Sequence, residues 1–277
     1  MDGSVNPRVA RVLLAVIATV LLSPRAHASW NQYGGCASRT HFAGDLTGLA
    51  LYRRWRVVLA GGVHSPAAIS GGAVYVGCDD GGLYSLDLVT GDQDWCFRPE
   101  NGARIRSGAA VAEDVVVAAA ADGVVYGIDR ATGTEKWRFR AGLSVTSSVA
   151  LSGDRAVVTA YDGRICSLSL RDGSLIWDYV IPGDFISASP TVGGGAVFAA
   201  ALGTAESGGA IYALDEATGS LRWKTQLPGW LGNAAALCGE NLAVVSSGHK
   251  TGGLYLLDAR TGDIVWGPVR GENNYWS

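Results

Sequence analysis

The chain has 277 residues, 48% of them hydrophobic and 17% charged, and its formal net charge is −3. This mildly acidic balance argues against nucleic acid as a partner, which would need a basic stripe, although it leaves room for a small local patch. Beyond residue 28 no stretch is long and apolar enough to cross a bilayer, and helical periodicity is absent.

Residues 1–28 read as an address. Arg8 and Arg11 precede an apolar run, Val12–Leu22, and Ala26-His27-Ala28 matches a small-x-small cleavage site. That is a secretory signal peptide cut after Ala28, which directs the chain to the periplasm or outside the cell. An uncleaved anchor is the alternative, but the run is short for a membrane span. The leader carries a net +2, so the mature chain stands at about −5. Cys36 follows Tyr33-Gly34-Gly35, a faint likeness to a lipoprotein box, yet it lies 14 residues past the apolar run, which argues against lipidation.

Residues 29–55 form an N-terminal segment, polar and glycine-containing up to Gly48 and more strand-like over Leu49–Leu59. Trp55 lies 40 residues before Trp95, so it holds the tryptophan position of an incomplete unit.

Residues 56–277 repeat one device. Gly82–Trp95, Gly123–Trp137, Gly163–Trp177, Gly209–Trp223 and Gly252–Trp266 each read as a hairpin: a strand, an Asp, a Thr-Gly or Asp-Gly turn, and a returning strand that carries tryptophan. The turn glycines Gly91, Gly133, Gly173, Gly219 and Gly262 supply the positive φ of a tight turn. Asp87, Asp129, Asp215 and Asp258 cap its amides. The tryptophans fall 42, 40, 46 and 43 residues apart, the mark of a repeat array in which each unit buries a face only against its neighbour. Each unit opens with Ser65, Ser107, Ser147, Ser189 or Asn233. A strand rich in valine and alanine follows, and then a glycine turn such as Asp80-Gly81, Asp122-Gly123 or Asp162-Gly163. Four short strands per unit predict propeller blades over about 56–95, 96–137, 138–177, 178–223 and 224–266, with another beginning at 267–277. Trp95, Trp137, Trp177, Trp223 and Trp266 are therefore expected to be structural.

Five cysteines, Cys36, Cys78, Cys96, Cys166 and Cys238, leave at least one thiol without an intrachain partner. Cys166 takes the position of Tyr84, Tyr126, Tyr212 and Tyr255, where it is expected to be a small buried apolar residue.

The order small residue, Leu or Ile, Asp, two variable residues, Thr-Gly, three variable residues, Trp resembles the tryptophan-docking motif of the pyrroloquinoline-quinone (PQQ)-type propeller repeat family. It stands at Ser85–Trp95, Gly127–Trp137 and Ala213–Trp223; Leu256–Trp266 departs at its first residue, and Ser167–Trp177 has Ser169 for the Asp and Asp172 for the Thr. Trp-Asn-Gln-Tyr-Gly-Gly at 30–35, followed by Arg39-Thr40, also looks like the opening of such domains. The resemblance covers nearly all of residues 30–277. It implies an all-β propeller of four-stranded blades whose tryptophans pack between blades against small residues and backbone of the neighbouring unit.

The family holds quinoprotein dehydrogenases, with PQQ and a calcium-like ion on the axis, and non-catalytic binding propellers. This chain lacks vicinal cysteines, a Cys-x-x-Cys-His haem site and any metal-ligand spacing among His41, His64 and His249; Asp184 and Glu272 are isolated carboxylates. A non-catalytic scaffold without cofactor is therefore expected, binding a protein or polysaccharide in the cell envelope; the alternative is a fragment of a PQQ- and calcium-dependent dehydrogenase of alcohols or sugars. The rim where linkers enter the inner strands is the expected binding face. It carries Arg104 and Arg106, read as two residues apart on one strand face, with Asp184, Phe185, Trp230, Tyr275 and Trp276; Trp230 and Trp276 fall outside the docking register. Packing over the blade tops is the competing reading of these aromatics.

Ser277 continues the series of Ser65 to Asn233, so five blades are complete as a sixth begins. The resemblance implies seven or eight blades, and eight need about 340 residues at this period. The arc is expected to be open or truncated, or completed by another chain; five blades closing alone is the remaining alternative.

Overall fold

The computed structural model describes residues 30–38, 53–204, 207–248 and 252–269. The signal peptide, Arg39-Thr40, His41, His249, Glu272, Tyr275, Trp276 and Ser277 lie outside the described residues. Twenty strands form five four-stranded antiparallel sheets, each joined in chain order, and among the described residues there is no helix. Blade 1 is β1 (Ala68–Ser70), β2 (Ala73–Gly77), β3 (Leu83–Asp87) and β4 (Gln93–Phe97). Blade 2 is β5 (Ala110–Val111), β6 (Val115–Ala119), β7 (Val124–Asp129) and β8 (Glu135–Arg140). Blade 3 is β9 (Ala150–Ser152), β10 (Arg155–Thr159), β11 (Arg164–Ser169) and β12 (Leu175–Val180). Blade 4 is β13 (Thr191–Gly193), β14 (Ala196–Thr204), β15 (Gly208–Asp215) and β16 (Leu221–Leu227). Blade 5 is β17 (Ala236–Cys238), β18 (Asn241–Ser246), β19 (Gly253–Asp258) and β20 (Ile264–Val269). The first strands of successive blades touch one another, so they line the axis.

Burial explains the composition of each strand. β6 and β10 are Val- and Ala-rich and buried on both faces, as a sheet between two sheets must be. β18 and β19 alternate instead, with Leu242, Val244, Tyr255 and Leu257 buried while Val245 and Leu254 are exposed. Blade 5 thus packs against one neighbour only, and among the described residues nothing covers its other face.

The hairpin turns are built as their residues require. Asp87 Oδ1 accepts the amides of Val89 and Thr90 at 2.8 and 2.7 Å, and Asp129, Asp215 and Asp258 repeat the arrangement. Blade 3, with Ser169 in place of the Asp, keeps the backbone turn, Gly173 N to Ser169 O at 2.9 Å; the carboxylate of Asp172 caps Ser174 instead.

Each indole closes a gap between blades. The ring nitrogens of Trp55, Trp95, Trp137, Trp177 and Trp223 donate to the carbonyls of Leu88, Arg130, Leu170, Glu216 and Ala259 in the following blade, at 2.9–3.1 Å. Each ring lies flat on the turn glycine three residues later; a Cβ on Gly173, for example, would come within 2.4 Å of the Trp137 ring. The small position of the motif, however, belongs to the tryptophan's own blade. Ser85, Gly127, Ser167 and Ala213 pair directly across from Trp95, Trp137, Trp177 and Trp223, and a Cβ on Gly127 would reach 2.1 Å from the Trp137 ring. The ring is clamped between a small residue of its own sheet and a left-handed glycine of the next.

Two expectations need correction here. Trp266 does not dock: Leu256 takes the small position, among the described residues no turn glycine lies over the ring, and it is 40% exposed against 6% for Trp137. Of the strand expected over Leu49–Leu59, residues 49–52 lie outside the described residues and 53–59 form no strand, although Trp55 docks on Gly91 as the interior tryptophans dock on theirs.

Trp137→Ala should therefore cost about 3–5 kcal/mol in chemical denaturation, the range for truncating a buried tryptophan. Trp266→Ala should cost less than about 1 kcal/mol, as for an exposed side chain with no partner sheet among the described residues.

Candidate functional site

The linkers that enter each inner strand meet the turns between second and third strands, and together they make the rim. Backbone hydrogen bonds run from loop to loop around it. Asp79 N donates to Gly62 O, Ile105 N to Cys78 O, Ala121 N to Arg104 O, Tyr161 N to Ser144 O, Ile186 N to Tyr161 O, Leu202 N to Phe185 O and Leu231 N to Leu202 O. Below the rim the hydroxyls of the repeat are spent on the strands. Ser107 Oγ bridges both backbone groups of Ala119, Ser147 Oγ bonds Thr159 O, and the hydroxyls of Ser148 and Ser189 accept the amides of Gly108 and Ser148, two residues before the inner strands of the preceding blades.

The rim divides into a charged arc and an apolar arc. In the charged arc Arg106 holds Asp79 through two bonds, Nε to Oδ1 at 2.7 Å and Nη2 to Oδ2 at 2.9 Å, and His64 Nε2 stands 3.5 Å from Asp79 Oδ2. The Arg106 hydrogen bonds keep the Asp79 carboxyl below the ordinary range. Arg104 and Arg106 belong to no strand: they lie in an irregular linker, with buried Ile105 between them. Arg106 is committed to Asp79, while Arg104 is exposed. Just outside, Asp80 Oδ2 accepts the Tyr84 hydroxyl at 2.5 Å, and Arg98 reaches Asp80 Oδ2 and Tyr84 OH at 3.1 and 2.7 Å.

The apolar arc spans blades 3 to 5. Leu143 is 73% exposed, Phe185 50%, Tyr161 44% and Trp230 38%. Tyr161 and Phe185 stack with centroids 5.0 Å apart and planes 25° apart. Asp184 serves this arc from beneath: its Oδ1 accepts the amides of Phe185 and Gly203 at 2.8 and 2.9 Å, fixing the loop that presents the ring. The backbones of Trp230 and Ser247 exchange two hydrogen bonds of 2.8 Å, which fixes Trp230 in turn. Sequence reasoning placed Phe185 and Trp230 at the rim but missed Tyr161 and Leu143. Tyr161 precedes Asp162-Gly163, a turn that blades 1 and 2 share as Asp80-Gly81 and Asp122-Gly123, so only its stacking on Phe185 marks it out.

Among the described residues the donor set does not fit PQQ with its calcium; Glu272 lies outside them. Asp184 is engaged by backbone amides, no cysteines are adjacent, and among the described residues no three His, Cys, Asp or Glu side chains converge. Burial pushes the Cys166 thiol up to about 12 and raises those of Cys78 and Cys96, which disfavours the thiolate at all three. A cleft of about 500 Å³ between blades 1 and 2 is acidic, but its Asp114 is paired with Lys136, Asp129 caps its turn and Asp94 accepts Ser85 Oγ.

Comparison with known proteins supports a propeller. The family described as outer membrane protein assembly factor BamB matches residues 47–266. The BamB of Legionella pneumophila (strain Paris) is 30% identical over 127 residues, 44% of this chain and 29% of that protein. That of Alkalilimnicola ehrlichii is 31% identical over 131 residues, 44% of this chain and 32% of that protein. The chain thus matches less than a third of the length of these curated relatives. Among solved structures, BamB from Moraxella catarrhalis superposes with a TM-score of 0.65 at 22% identity, over 77% of this chain and 63% of that one. Quinohemoprotein alcohol dehydrogenase from Comamonas testosteroni gives 0.69 at 16% identity, over 86% of this chain and 48% of that one. A europium-containing methanol dehydrogenase gives 0.70 at 16%, over 87% and 58%. At these identities the solved structures share the fold alone.

The Asp80 network has a pH signature. Burial raises the Asp80 carboxyl, but hydrogen bonds from Tyr84, Arg98 and the Gly82 amide outweigh it and bring it to about 2 from an ordinary 3.8. A carboxyl depressed on folding stabilises the native state above its unfolded value and loses that contribution as pH falls through the folded one. Stability should therefore drop between pH 4 and pH 2 by about 1–2 kcal/mol from this group. Asp80→Asn should remove that part of the acid slope in urea denaturation.

Proposed function

This chain belongs to the PQQ-type propeller family described as outer membrane protein assembly factor BamB, and on that premise we propose that it is an exported, non-catalytic scaffold on the periplasmic side of the cell envelope, binding a protein partner through its rim. The leader of residues 1–28 supplies the export, and the blades of residues 56–277 supply the platform. The observation that carries the reading is the apolar arc: Leu143, Tyr161, Phe185 and Trp230 project from four loops of one rim, held in place by backbone hydrogen bonds. Aromatic side chains presented on rigid loops give large contact area at small entropic cost, which is the composition of binding hot spots. The exposed Arg104 lies on the same rim and adds a charged border, which favours a protein over a neutral polysaccharide. The BamB relatives are named as outer membrane protein assembly factors, and a protein partner of that kind suits this surface. A quinoprotein dehydrogenase would require cofactor ligands that the described residues do not bring together.

Phe185→Ala and Trp230→Ala should each weaken capture of envelope proteins about tenfold or more while shifting Tm by less than about 2 °C, since exposed rings contribute little to folding. Unchanged capture, or a large fall in Tm, would turn the arc into mere packing; capture of polysaccharide alone would replace the partner class. Addition of PQQ and calcium should produce no bound quinone absorbance and no dye reduction with alcohols or sugars.

A further inference from the structure

Residues 30–38 do something that the repeat itself does not call for. They cross the inner edges of all five blades. Ile69 N donates to Trp30 O at 2.7 Å, Val111 N to Asn31 O at 2.7 Å, Leu151 N to Gln32 Oε1 at 2.9 Å, Val192 N to Ala37 O at 2.9 Å and Leu237 N to Ser38 O at 2.9 Å. Those five amides sit at the corresponding position of β1, β5, β9, β13 and β17. Asn31 Nδ2 and Ser38 Oγ bond back to the carbonyls of Val111 and Val192. Gly34 and Gly35, both at positive φ, turn the segment between its two halves, and the Trp30 ring lies 3.1 Å from where a Cβ on Gly35 would stand. Gln32 is 5% exposed.

The physical need is plain. The innermost strand of a blade has a free edge, and five such edges two or three residues long leave unpaired amides facing the axis. A buried amide without a partner costs about 1–3 kcal/mol. Tryptophan docking joins blades only in consecutive pairs, so it does not by itself fix the curvature of the arc. We propose that residues 30–38 are an axial strap: an extended segment of the chain that pairs one edge amide of every blade, holds the five at a common radius and closes the axis below the rim. The contacts fall three or four residues past Ser65, Ser107, Ser147, Ser189 and Asn233, roughly 10–13 Å below the mouth at strand rise.

The strap also constrains maturation. Cleavage after Ala28 leaves Trp30 as the second residue and the strap whole. Processing at Cys36 would make that cysteine the first residue and remove Trp30, Asn31 and Gln32, the anchors of blades 1, 2 and 3.

Amide hydrogen exchange on the full exported protein, read residue by residue by NMR, tests the strap. In the unmodified protein the amides of Ile69, Val111, Leu151, Val192 and Leu237 should exchange as slowly as sheet-interior amides such as that of Val157. Exchange of all five at the rate of exposed edge amides would overturn the proposal whether or not any variant folds. Gln32→Ala removes a single anchor and should speed exchange at Leu151 about tenfold or more while leaving Val157 unchanged; no change at Leu151 would also overturn it. The intact mass of the exported protein should correspond to a chain that retains Trp30, and a chain beginning at Cys36 would contradict the strap.

Discussion

The structure depends on an indole ring clamped between two sheets. Trp95, Trp137, Trp177 and Trp223 each lie across from Ser85, Gly127, Ser167 or Ala213 on their own sheet, rest on a left-handed glycine of the next, and donate their one N–H to a carbonyl there. The arrangement satisfies the only polar atom of the largest side chain and buries the rest. It also explains why the motif is long. The small residue admits the ring, the Asp holds the turn, the glycine lets the next turn come close, and the tryptophan must fall on the strand that faces that turn. Blade 5 shows the converse: with Leu256 in the small position and no turn over it among the described residues, Trp266 is left exposed and so is one face of its sheet.

Much of this was legible because the repeat is local. Strand alternation, the Asp and glycine of each turn and the near-constant period specify a blade without knowledge of any distant contact, and Cys166 was readable as a buried member of the tyrosine position. What was misread depended on contacts between units. The small residue looked like a feature of the neighbouring blade, because nothing in a linear motif tells which sheet a ring will touch. Trp266 matched the pattern, yet docking needs a following turn as well as the tryptophan. Residues 53–59 carry a docked Trp55 without forming a strand.

The rim was legible in outline. Trp230 stood out because it broke the tryptophan register, and Phe185 because it sat in a linker. Arg104 and Arg106 were read as strand neighbours, whereas the linker is irregular and Arg106 is drawn to Asp79 across 27 residues of chain. The work of residues 30–38 was not legible at all. Gln32 reaches Leu151 over 119 residues, and no periodicity or spacing announces a partner at that distance. The strap and the docked indoles act in different directions: the indoles join the outer parts of consecutive blades, and the strap ties the inner edges of all five. Together they leave the rim as the surface free to meet another molecule.

The central claim is that turn glycines are required because a ring lies on them. Gly173 and Gly72 both adopt positive φ, +70° and +83°, but a Cβ on Gly173 would fall 2.4 Å from the Trp137 ring whereas one on Gly72 meets nothing within 4 Å. Backbone strain at the two is alike, about 1 kcal/mol for alanine, so the difference between Gly173→Ala and Gly72→Ala in urea denaturation isolates the docked ring. The account predicts a further loss of about 1–3 kcal/mol at Gly173, the cost of overpacking. Equal losses at the two positions would contradict it.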